Sequence, residues 1–182
     1  RFLSLKNITI VGNWNFSRSA HDKTVIFIAD NCKFEHNPDN NNVTLSGIDI
    51  AYFKDCTAGY ACLDCFNVAK GNMSTQQTEA SVVVYANCKA KEAGFYDTNA
   101  NHTCNLNTAH TGTNIIRCGF VGYNADGPMI ADVNGCYSIM YDIMVYNNSY
   151  AYTTAATKGT FEFNSTQSDR QTKQVCVDCY NR

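Results

Sequence analysis

A chain of 182 residues can bury one sizeable core, so folding does not by itself require cross-links. Charged residues make up only 16% of it and the formal net charge is −2, which leaves no basic face for a nucleic acid and no polybasic run for a membrane surface. No apolar stretch reaches the roughly 18 residues needed to cross a bilayer. The composition predicts a soluble chain whose surface polarity comes from Asn, Thr, Ser and attached sugar.

In chain order, five segments share a pattern of alternating apolar residues, a short polar pair, Cys or Trp, one polar residue and an apolar residue. The first is Ile8-Thr9-Ile10 leading to Asn13-Trp14-Asn15-Phe16. The second is Ile26-Phe27-Ile28 leading to Asn31-Cys32-Lys33-Phe34, and the third Ile48-Asp49-Ile50 leading to Asp55-Cys56-Thr57-Ala58. Val82-Val83-Val84 leads to Asn87-Cys88-Lys89-Ala90, and Ile115-Ile116-Arg117-Cys118-Gly119-Phe120 is a looser copy. The stretch from Ile139 to Asn148 reads as a sixth. Period-two alternation rich in Val, Ile, Phe and Tyr, punctuated by Asn, Asp and Gly, is the signature of strands. No segment sustains a capped 3.6-residue period, so little or no helix is expected. Pro38 and Pro128 fall in expected loops.

Short strands followed by an Asn-Cys corner resemble the coils of right-handed parallel β-helix proteins. The resemblance runs over about Leu5 to Asn148. It implies that Asn31, Asp55 and Asn87 sit at a sharp turn, where Asn and Asp tolerate left-handed backbone. It also implies that Cys32, Cys56, Cys88 and Cys118 point inward as a buried ladder. An antiparallel β-sandwich satisfies the same periodicity and stays open as the alternative within an all-β class.

Ten cysteines, an even number, suit an oxidising compartment. Asn-x-Ser/Thr triplets occur at Asn7, Asn15, Asn42, Asn72, Asn101, Asn147 and Asn164. Chance in so Asn-rich a chain supplies roughly three, so the excess points to N-glycosylation. Residues 1–182 are therefore expected to form a single extracellular β domain, secreted or on a cell or virion surface. The opening at Arg1 without a signal peptide reads as a mature or excised segment. Two Cys-x-x-Cys elements, Cys62/Cys65 and Cys176/Cys179, have a spacing that suits either disulfides or a structural zinc; disulfides are the simpler expectation in such a chain. Cys104 and Cys136 complete the candidate disulfide set. Neither a metal nor a cofactor is predicted.

Gly47-Ile48-Asp49 looks like part of the polygalacturonase-type hydrolase pattern, but no Asp-Asp pair, Gly-His-Gly or Arg-x-Lys follows. Asp49 alternates within a strand and is read as a solvated carboxylate. His21, His36, His102 and His110 lie in polar loop-like contexts, and no nucleophile or phosphate-loop motif occurs. The chain reads as a non-enzyme. Exposed tyrosines in the run Tyr137, Tyr141, Tyr146, Tyr150 and Tyr152 would stack on sugars or anchor an interface; inward packing of members such as Tyr141 is the competing expectation. The expected role is a structural or adhesive glycoprotein module, a subunit of an extracellular filament that self-associates or binds an extracellular protein or glycan. A receptor- or glycan-binding ectodomain, such as one from a viral envelope, is the first alternative. A polysaccharide-active β-helix enzyme fragment is the second.

Overall fold

The computed structural model describes residues 1–17, 24–69, 81–96, 107–110, 113–125, 130–133, 136–146, 161–164 and 173–181. The described residues form strands, turns and bends and contain no α-helix. The strands come in threes. The first rung is β1 (Phe2–Lys6), β2 (Thr9–Val11) and β3 (Trp14–Ser17); the second is β4 (Ile26–Asp30), β5 (Lys33–Asn37) and β6 (Val43–Ser46). Then follow β7 (Ile50–Lys54), β8 (Thr57–Ala61) and β9 (Phe66–Ala69), and β10 (Ser81–Ala86), β11 (Lys89–Ala93) and β12 (Asn107–His110). The fifth rung is β13 (Thr113–Cys118), β14 (Val121–Ala125) and β15 (Ile130–Val133). The long β16 (Tyr137–Tyr146) and β17 (Phe161–Asn164) make the sixth, and β18 (Lys173–Asn181) lies on β16.

From β1 to β13 each strand pairs with the strand three places further on; β14, β15 and β16 pair two places on, because the long β16 serves as both first and second strand of its rung. First strands and second strands form two ladders that merge through β16 into a 12-stranded sheet, and third strands form a six-stranded sheet. Every pairing among the described residues is parallel, which rules out the antiparallel sandwich.

The corner between first and second strands explains the Asn-Cys pattern. Asn7, Asn31, Asp55, Asn87, Asp142 and Asp178 all take φ of 50–54°, and Gly119 takes 66°. This left-handed conformation turns the chain, and Asn, Asp and Gly adopt it at least cost. It also reverses the direction of hydrogen bonding. The Asn31 amide donates forward to the Lys54 carbonyl, whereas the Lys33 amide donates back to Ile8, both at 2.9 Å. Asn31 Nδ2 further donates to Asn7 Oδ1 at 2.9 Å, tying two corners side chain to side chain.

Three copies of the sequence pattern are out of register with this corner; in the sixth the corner is Asp142, between Tyr141 and Ile143, and the expected Asn147-Asn148 pair lies outside the described residues. Asn7-Ile8, not Asn13-Trp14, occupies it in the first rung; Trp14 lies in β3 opposite Val43. In the fifth rung the corner is Gly119, so the inward position after it belongs to Phe120. Cys118 precedes the corner, pairs with Ala86 and Tyr141, and is exposed rather than part of a buried ladder. Cys32, Cys56 and Cys88 follow their corners and are buried. Cys56 Sγ donates to the Ala29 carbonyl of the preceding rung and Cys88 Sγ to that of Phe53, at 3.4 and 3.5 Å.

Inside the stack, an aromatic column crosses the rungs. Phe53 lies 5.4 Å from Phe27, 5.2 Å from Phe66 and 5.2 Å from Tyr85 between ring centroids, and Tyr85 continues to Phe120 at 6.1 Å. Arg117 is fully buried in the same column; it donates to Ser138 Oγ at 3.0 Å and lies over the Tyr85 ring. Its place in an alternating apolar strand gave no sign that a cation points inward.

Cys65 is also fully buried, and burial pushes its thiol well above the ordinary range. An unfolded thiol titrates near 8.5. Above that pH the folded chain keeps a proton that the unfolded chain has lost, so stability is level below it and falls as pH rises through it. Chemical melts between pH 7 and 10 should show this loss, at about 1.4 kcal/mol per pH unit for each such thiol. Cys65→Ala should make the slope shallower by one thiol's share; an unchanged slope would contradict the assignment.

Candidate functional site

A second left-handed corner lies within the second strands. Gly12, His36, Tyr60, Glu92 and Asn124 have φ of 99°, 56°, 56°, 55° and 58°. The pairings skip these residues: Glu35 and Asn37 align with Gly59 and Ala61, and Lys91 and Ala93 with Tyr123 and Ala125. A residue bulged in this way turns its side chain out of the ladder, and identical bulges stack. The result is a column of polar and aromatic side chains on a rigid edge.

Four rings close into a cluster on that edge. His36 stacks on Tyr60 with centroids 4.7 Å apart and planes 1° from parallel. Phe95 meets Tyr60 edge to face at 5.3 Å, and Tyr96 meets Phe95 in the same way at 4.9 Å. The Tyr96 hydroxyl returns to His36 Nδ1 at 3.0 Å. Gly94, at φ 79°, makes the turn that carries Phe95 and Tyr96 back across the rungs. Lys91 completes the site, with Nζ 4.6 Å from the Tyr60 centroid. Its register partner is Gly59, where an added Cβ would lie 2.6 Å from Lys91 Cγ, so the missing side chain gives the lysine stem its path. Beside it, Asn124 Nδ2 donates to Glu92 Oε1 at 2.6 Å.

Phe95 is 41% exposed and meets both Tyr60 and Tyr96 in T-shaped contacts. Such a ring is a stacking platform whose ordering entropy is already spent. Lys91 adds positive charge over the neighbouring Tyr60 ring. The cluster suits binding; it presents no paired carboxylates for acid–base work. Sequence reasoning missed it because its members belong to three rungs: His36 and Tyr60 are bulged, while Phe95 and Tyr96 arrive by the turn at Gly94.

The other candidate residues are scattered. Asn7 and Asn15 are exposed. Asn42 is fully buried, and its Nδ2 donates to the carbonyls of Phe34 at 3.1 Å and Gly59 at 2.6 Å, so the folded chain has no room for a glycan there. The Asn164 backbone pairs with Val133 in β17. Asn72, Asn101, Asn147, Cys104, His21, His102, Tyr150 and Tyr152 lie outside the described residues. Cys62 is half-buried, and Cys136 is buried at the start of β16. Cys176 is exposed and Cys179 half-buried in β18, four rungs from Cys62 and Cys65. At about 4.8 Å per rung, that separation of about 19 Å exceeds both disulfide and shared-metal reach. Cys32, Cys56, Cys65, Cys88, Cys118, Cys176 and Cys179 are free thiols. No group of three or more His, Cys, Asp or Glu side chains placed to hold a metal occurs among the described residues.

Asp49 is half-buried, and its carboxylate accepts the Val25 amide at 2.6 Å, so it braces two rungs and is not a solvated group. His110 lies in β12. Tyr137 and Tyr141 are exposed on the outer face of the long sheet, and Tyr146 is half-buried. No helix among the described residues is long and apolar enough to cross a membrane. No protein-family model, curated protein or solved structure matches the chain.

Proposed function

We propose that the chain is a right-handed parallel β-helix module of a secreted or surface glycoprotein, and that it is adhesive: it holds an extracellular saccharide at the His36–Tyr60–Phe95–Tyr96 cluster. The observation that carries this reading is the half-exposed Phe95 ring, fixed by two edge-to-face contacts beside the Lys91 cation. A pyranose presents an apolar face that stacks on such a ring, and a carboxylated sugar gains from a nearby ammonium. The three-strand rungs support the β-helix reading, and the exposed Asn7 and Asn15 sequons are compatible with a glycosylated surface.

A screen of neutral and acidic oligosaccharides against the native chain tests this. Acidic glycans should bind, and Phe95→Ala should weaken them by about tenfold or more, the worth of one aromatic contact. Lys91→Met should reduce acidic but not neutral glycan binding. Absence of binding across the screen, or equal affinity for wild type and Phe95→Ala, would refute the reading.

A further inference from the structure

The outer face of the long sheet is largely apolar across its first strands. One outward column runs Phe2, Ile26, Ile50, Val82, Asn114 and Tyr137; the next runs Ser4, Ile28, Tyr52, Val84, Ile116, Ile139 and Val175. The third begins with Lys6, Asp30 and Lys54 and ends with Ala86, Cys118, Tyr141 and Val177. Ile116, Tyr137, Ile139, Tyr141, Val175 and Val177 are 40–56% exposed. Among the described side chains of this face, the charged ones are Lys6, Asp30 and Lys54 along one margin, where nitrogen and oxygen lie 3.4 and 3.6 Å apart.

We propose that this face pairs with the same face of a second copy of the chain, making a side-to-side dimer. Seven stacked strands at about 4.8 Å, each offering five residues at about 3.3 Å, give a surface of about 550 Å² per copy. Two such faces bury roughly 1,100 Å², just above the roughly 1,000 Å² that a specific interface must clear. Sheets that pack face to face do so at about 10 Å. The apolar columns form the centre of the interface and the Lys–Asp ladder its polar rim, the usual division. The inference does not depend on the saccharide site, which lies on the edge built by the second strands.

The test is the mass of the native chain in solution by light scattering and sedimentation. Wild type should run at twice the 20.2 kDa of one chain. Ile116→Lys combined with Ile139→Lys should run at the single-chain mass with an unchanged melting temperature, because both side chains point outward. Val11→Lys, on the outer side of β2 and 71% exposed, should leave the dimer intact. Cys118 alkylation gives an independent reading on the unmodified chain: it should be slow at high concentration and speed up on dilution, by about tenfold or more. A single-chain mass for wild type, a double variant that keeps the wild-type mass, or Cys118 labelling independent of concentration would each overturn the proposal.

Discussion

Phe53→Ala is expected to lower the unfolding free energy by about 4 kcal/mol, which for a chain of this size moves the melting temperature by about 10 °C. Phe53 is fully buried and touches rings from the rungs on either side and from the opposite sheet. Its neighbours are fixed by strand register, with Ala29 and Tyr85 directly before and after it in the ladder. They cannot close over the space left by a ring, so the cavity term adds to the lost transfer energy. Phe53→Leu keeps most of the volume and should cost under about 1.5 kcal/mol. Urea melts of the three proteins measure this. A loss below about 1 kcal/mol for the alanine variant would mean that Phe53 does not lie between rungs.

The second large effect is at the corner. Asn87→Val should cost about 3 kcal/mol, while Asn87→Gly should change stability by only a few tenths. Asn87 has φ 52°, where a β-branched side chain meets its own backbone and glycine does not. Its neighbour in the column is Gly119, where an added Cβ would fall 2.6 Å from Asn87 Oδ1. The corner column therefore has no spare room at this rung. Matched thermal melts of the two variants separate backbone strain from lost hydrogen bonding, since both remove the amide. Equal losses would contradict the left-handed corner.

The strand segments and the Asn-Cys corner could be read from the residues, because both rest on local chemistry. Alternation with period two marks a strand, and Asn or Asp before a small buried residue marks a left-handed turn. Register was harder. Ile8 and Phe120 fill the position taken elsewhere by cysteine, so Trp14 and Cys118 mimic the pattern while lying off the corner. Parallel pairing was legible only through the family resemblance, since alternation does not distinguish it from antiparallel pairing. The sequon at Asn42 matches the glycosylation pattern, yet its amide is consumed inside the fold; a three-residue motif carries no information on burial. The aromatic cluster was illegible for the opposite reason. His36 and Tyr60 come together through a bulge repeated at intervals set by loops of unequal length, Phe95 joins them by the turn at Gly94, and no short motif encodes that. Arg117 shows the same limit in the core, where an arginine replaces the apolar residue that alternation calls for.

The binding account is tested most directly by recording amide chemical shifts of the isotope-labelled chain as an acidic oligosaccharide is added. Shifts should concentrate at His36, Tyr60 and the segment Lys91 to Tyr96, and Phe95→Ala should need about tenfold more oligosaccharide to reach the same shifts. Shifts confined to the outer sheet face around Val84, Ile116 and Ile139, or no shifts at any residue, would contradict it.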